Sequence, residues 1–242
     1  MNSEIVKESL KKFSEVLSFN YPAVGWYFSS DEIENSFIFR KNRWVCMFMY
    51  MKMMMKTGKR IRFSEDYNNA CDGPSEYFGF EELKDDGGIF LAETERIYKN
   101  IEISKAYARE TANLIHPPKG KYLYMEKLEN IDTSKEIEVV NIFPANPTSL
   151  LKLSALSSYD RVTNDNAFTP NCSACQCVFT IPYNEKFKDN SKSVIGLFDV
   201  LARNFIPEDM IAFSMPSQRF VEMANNIEGS FLDKKFKKPA SF

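Results

Sequence analysis

The stretch from Ile137 to Phe143 limits the fold more than any other part of this chain. It reads as a largely apolar run of strand length, broken by Glu138 and Asn141, the pattern of a strand buried on both faces. Asn146-Pro147 follows closely. Asn at the cap and Pro in the first turn start a helix, and Leu150, Leu151, Leu153 and Leu156 supply its buried face. A buried strand feeding a helix needs a layer on each side of a sheet. The expected fold is therefore α+β (or α/β), a mixed sheet with flanking helices.

The remaining segments fit that plan. Ile5, Leu10, Phe13, Val16 and Leu17 recur at helical spacing, which predicts an amphipathic helix over 3–18. Pro22 to Phe28 reads as a strand between turn residues. A second helix should run from about Asn42 to Lys56 and stop at Gly58. Lys59 to Phe63 alternates basic and apolar residues, the pattern of a short, half-exposed strand. Cys71-Asp72-Gly73-Pro74 reads as a turn. Residues 81–90 read as a surface loop, and 94–112 as a weaker helix broken by His116-Pro117-Pro118-Lys119-Gly120. Strands are expected at Tyr122–Met125, Ser193–Val200 and Met210–Met215, and a last helix from Ser217 through Ile227. The 242 residues read as a single domain. Residues 1–116 and 121–230 share a rough order of elements, so they are candidate halves of one core, without a residue-level repeat.

Composition excludes several classes. Lys and Arg number 31 against 33 Asp and Glu, which argues against a nucleic-acid surface. No apolar run reaches the roughly 18 residues of a membrane span. Asn2, Ser3 and Glu4 open an amphipathic helix rather than a signal peptide. Five cysteines, an odd number without the spacing of a small disulfide scaffold, fit a reducing cytoplasm.

Three of those cysteines stand together as Cys172-x-x-Cys175-x-Cys177. On a helix Cys172 and Cys175 share a face, while Cys177 lies about 200° beyond Cys175. Three thiols on a helix cannot all reach one metal; in a loop they can. Zinc and iron–sulfur sites use four protein ligands, or three with an open position, and Cys46 or Cys71 can supply the missing one. The plain alternative is small buried thiols packed beside Phe179. Met47, Met49, Met51, Met53, Met54 and Met55 resemble a soft-metal surface, yet on a helix they go nearly all the way round, which fits adaptable packing better. His116 is the one histidine, which rules out multi-histidine metal sites and leaves Cys–His catalysis a single, poorly placed candidate. Neither a dinucleotide fingerprint nor a P-loop occurs. Lys59 beside Arg60 and Arg62, and Arg203 further on, are candidate anion or cofactor contacts; a solvated strand face is the commoner role for such residues.

Several segments carry a resemblance in their order. Tyr21-Pro22-Ala23-Val24 resembles an early family strand, and Cys46 with Gly58-Lys59 resembles a cysteine helix ending in a Gly-Lys turn. Cys71-Asp72-Gly73 with Phe78-Gly79-Phe80, the strand, Asn-Pro and leucine helix of Phe143 to Leu151, a cysteine ahead of Pro182, and Glu208-Asp209-Met210 leading to Met215-Pro216 complete the set. Over about residues 20–228 the chain is similar to the "domain of unknown function 169" (ArCR) family of archaea and anaerobic bacteria. The resemblance implies no reaction. It implies that Cys46, Cys71 and one of Cys172 and Cys175 are the family's cysteine positions, with Cys175 preferred by its spacing to Pro182.

The expectation is a cytoplasmic protein of uncharacterised role that binds a metal, an iron–sulfur centre, zinc or another redox cofactor through distributed cysteines. Cys46, Cys71, Cys175 and Cys172 are the candidate ligands, and Lys59 and Arg203 would face an anionic cofactor. A non-catalytic small-ligand module with structural cysteines is the alternative. A thiol enzyme with Cys71 as nucleophile stands third, because it lacks a placed base. Its partners are a small molecule or cofactor, with neither nucleic acid nor membrane. Catalytic residues and oligomeric state stay open.

Overall fold

The run beginning at Ile137 becomes the middle strand of a sheet, and all four residues of that strand are buried. A computed structural model describes residues 1–38, 45–65, 72–84, 89–94, 96–200 and 202–235. Its strands are β1 (Val24–Ser29), β2 (Ile61–Phe63), β3 (Tyr122–Lys127), β4 (Val139–Ile142), β5 (Ala167–Phe168), β6 (Ser193–Gly196) and β7 (Ala212–Pro216). They form one sheet in the order β2-β3-β1-β4-β7-β6-β5. β5 and β6 pair parallel, and the other neighbours antiparallel. The fold is thus α+β with a mixed sheet.

The helices are α1 (Ser3–Val16), α2 (Met47–Thr57), α3 (Asp72–Tyr77), α4 (Ile101–Ala112), α5 (Pro147–Ser157), α6 (Ile181–Glu185) and α7 (Ser217–Asn225). Successive strand residues point to opposite faces, so the sheet separates two cores. Trp26 and Val139 face a core built with α2 and with Phe78, Val178 and Phe179. Tyr27, Val140 and Phe213 face the other, built with α1, α5 and α7. Asn2 caps α1, accepting from Glu4 N–H at 2.9 Å, and Asn146 caps α5, accepting from Ser149 N–H at 2.9 Å, as its Asn-Pro start predicts. Among the described residues, no helix is long and apolar enough to cross a membrane.

Some local expectations fail for physical reasons. β2 is fully buried rather than half-exposed. Arg62 packs its guanidinium 5.0 Å over the Tyr122 ring and pairs with Glu32. Phe37 covers the sheet edge, donating to Arg60 O and accepting from Arg62 N–H. Residues 72–77 form α3 rather than a turn, since Pro74 falls in a first helical turn, where its missing N–H costs nothing. In α5 Leu151 faces solvent while Leu153 and Leu156 are buried. In α2 Met49 is about half exposed, so the methionines surround the helix less completely than expected. β6 stops at Gly196, because Leu197 turns to a positive φ of 75°.

Candidate thiol site

Cys172 lies in an irregular segment just before the chain turns helical at Ala174. Gln176–Thr180 then winds as a π-helix and runs into α6. A π-turn displaces backbone groups from their usual partners. Here the Val178 carbonyl accepts from Asn141 Nδ2 at 2.8 Å, in the middle of β4, and Asn141 Oδ1 accepts from Trp26 Nε1. Gln176, almost fully buried, accepts from Tyr107 O–H at 2.6 Å and from Ser173 N–H and O–H at 2.9 Å each. Its amide donates to Thr111 at 3.2 Å, tying the cysteine segment to α4.

The loop after β6 forms the other wall. Leu197, fully buried, holds a left-handed backbone that a branched side chain rarely adopts. That backbone aims its N–H at Cys177 Sγ, 3.2 Å away, while the Cys177 thiol donates to Ala174 O at 3.1 Å. Gly196 is required here, since a Cβ on it would lie 2.5 Å from Cys177 Sγ. Asp199 Oδ2 accepts from Ala174 N–H at 2.8 Å and Oδ1 from Ala202 N–H at 3.2 Å, clamping the loop to the cysteine segment.

Cys46 reaches this corner from the other half of the chain. It is the N-cap residue of α2, nearly buried, in the same packed cluster as Cys172, Cys175 and Cys177. Burial pushes its thiol above the ordinary cysteine value; the Asp199 carboxylate acts the same way, while the Phe48 amide opposes. Cys172 is raised as well. Its hydrogen bond with Cys177 is the largest cause, followed by burial and by the charges of Cys177, Asp199 and Cys175. Tyr98 and Tyr107, with ring centroids 5.0 Å apart, line the outer side, and both phenols are raised by burial first. The shifts at Cys46 and Cys172 disfavour their thiolates, which makes these two weak nucleophiles.

Cys46 and Cys172 thus share a packed cluster with Cys175, and the charge of Asp199 acts on both of the first two. Cys71 lies outside the described residues. Among the described residues, no three His, Cys, Asp or Glu side chains form a group that could hold a metal ion. Lys59 is exposed just beyond the C-terminal end of α2, about 16 Å of helix away from the Cys46 end. Arg203 spends its guanidinium on the carbonyls of Leu197, Met210 and Glu208, so it braces the thiol-side loop rather than waiting for an anion. His116 turns to α6 instead, with Nε2 2.8 Å from Asn184 Oδ1 and its ring 4.5 Å from Phe187. Sequence reasoning missed Asp199, Gln176 and the tyrosine pair. Asp199 left one signal, an Asp three residues before the short helix Ala202–Phe205, the spacing of a cap.

A family model described as DUF169, uncharacterised ArCR, matches residues 12–226. No curated protein and no solved structure matches the chain.

Proposed function

The chain belongs to the uncharacterised DUF169 (ArCR) family, and from that premise we propose that it carries a metal ion, an iron–sulfur centre or another redox cofactor at this thiol corner. Cys46, Cys172 and Cys175 would be ligands, and Cys71 would complete the set. The observation that carries the reading is convergence: Cys46 and Cys172, far apart in sequence, both feel the charge of Asp199 within one packed cluster. Neighbouring thiols and a carboxylate resist thiolate formation together, and a soft cation reverses that balance by replacing the protons. Such a site belongs in a reducing cytoplasm, and the balanced charge of the chain favours a small-molecule or cofactor partner over nucleic acid.

The test is purification without oxygen, followed by a visible spectrum and metal analysis. Stoichiometric metal or a charge-transfer band is expected, lost in Cys46→Ser and Cys175→Ser and in Cys71→Ser. A colourless, metal-free protein whose thiols do not react would sink the reading.

A second reading, a small-ligand module with structural cysteines, is favoured by a different observation. A cleft of ≈ 330 Å³ opens beside α1 and β1, lined by Leu10, Leu17, Phe19, Tyr21, Ala23 and Ile142. Its size is at the low end for ligand pockets. The satisfied bonds of Cys177 fit a structural role for that thiol.

A further inference from the structure

We propose that a second cavity, beside Arg60, binds a small organic oxyanion through a carboxylate or phosphate headgroup. The cavity has a volume of ≈ 290 Å³ and is lined by Tyr27, Ile33, Arg60, Asp132, Ser134 and Lys135. It lies on the sheet face that carries Tyr27, whereas the thiol corner packs on the opposite face. The basic residues around β2 divide there. Lys59 is exposed, and Arg62 is spent on Glu32 and the Tyr122 ring. Arg60 is the one that lines a cavity.

Arg60 is held in place by buried groups. Its Nε lies 3.3 Å from Oε2 of Glu126, a β3 carboxylate only 2% exposed. The same oxygen accepts from Tyr27 O–H at 2.9 Å, and Tyr27 is itself buried. One edge of the guanidinium is therefore fixed. Among the described residues its two Nη groups have no protein partner, and 28% of the side chain is exposed, so a ligand can reach them. A guanidinium fork matches the two oxygens of a carboxylate or phosphate, and a fixed fork loses less entropy on binding.

Charge around the cavity favours the same ligand. Lys135 lines it with Arg60, and Lys7, bonded to the Ile131 carbonyl, acts electrostatically on both Glu126 and Asp132. Three cations thus face two carboxylates, leaving one positive charge in excess. Asp132 also turns back on its own loop, accepting from Ser134 N–H at 2.8 Å. Tyr27 and Ile33 supply an apolar wall for the ligand's carbon stem.

The experiment titrates isotope-labelled full chain separately with inorganic phosphate and with propionate, at constant ionic strength. Nuclear magnetic resonance follows the Arg60 Nε–H and the Ser134 and Lys135 amides. At least one anion should give saturable shifts at these groups. Arg60→Lys keeps the charge but loses the fork, and should weaken binding about tenfold. Lys135→Ala should weaken it several-fold, while Lys56→Ala, an exposed cation on α2, leaves it unchanged. Saturation by phosphate alone assigns a phosphoryl headgroup and by propionate alone a carboxylate; either upholds the site. Circular dichroism reports folding of each variant. If Arg60→Lys does not fold, the map in the unaltered protein decides, and shifts lying elsewhere overturn the proposal. No saturable shift at millimolar anion, or equal binding in a folded Arg60→Lys, overturns it as well.

Discussion

The two faces of the sheet are built by different rules. On one, α1, α5 and α7 pack side chains such as Phe13, Leu153, Phe220 and Met223 against Tyr27, Val140 and Phe213. Two of these helices carry an Asn cap, and the polar insertion at the end, Arg219, is fully buried and held bidentate by Asp160 at 2.8 and 2.9 Å. On the other face stand the α2 methionines, an aromatic group of Trp26, Phe63, Phe78 and Phe179, a π-helix and a left-handed leucine. Regular helices there give way to irregular backbone whose polar atoms are matched one by one from elsewhere in the fold. The first face resembles a scaffold optimised locally. The second spends conformational strain to bring distant segments together, which is the usual setting of a functional site.

The sharpest break in that comparison is Arg219→Ala. It leaves Asp160 without its buried partner and empties a full side-chain volume, and should cost about 3–5 kcal/mol in urea unfolding. The pH dependence has a definite sign. Hydrogen bonding to Arg219 is the largest cause lowering Asp160 from 3.8 to about 2 in the folded state. A carboxylate depressed on folding stabilises above its unfolded value and loses that contribution as pH falls through the folded one. Stability tied to this pair should therefore fade between about pH 4 and pH 2, and a titration of Arg219→Ala should lack that component. Gly196→Ala tests the other face. Its Cβ would collide with Cys177 Sγ, and overpacking of this kind costs about 1–3 kcal/mol. If the thiol face is the adaptable one, the loss should be at the low end, read as a shift in midpoint with an unchanged slope. Asn146→Ala removes the α5 cap and should cost about 1 kcal/mol in urea unfolding.

Legibility followed the same division. The α1 periodicity, the Asn146-Pro147 start and the last helix were readable because caps and 3.6-residue spacing are local signals. β2 was misread because Arg62 is buried by a ring from β3 and a carboxylate from the segment after β1, information that no five-residue window holds. The cysteine segment was framed as a helix or a loop, and it is both: Cys172 lies in a loop that leads through a helical turn into a π-helix, tied by Asn141 of β4 and by Tyr107 of α4 through Gln176. Arg203 looked like a free cation because the sequence does not reveal that three backbone carbonyls surround it.

By itself the sequence determined the fold class and the central buried strand, since hydrophobic period and helix caps act between near neighbours along the chain, and the order of its segments carried the resemblance to the family. Only the tertiary structure decided which distant groups act on one another: the charge of Asp199 acts on Cys46 and Cys172, and Glu138 pairs with both Lys119 and Lys186. Charge, desolvation and hydrogen bonding depend on distance in space, which the order of residues does not record.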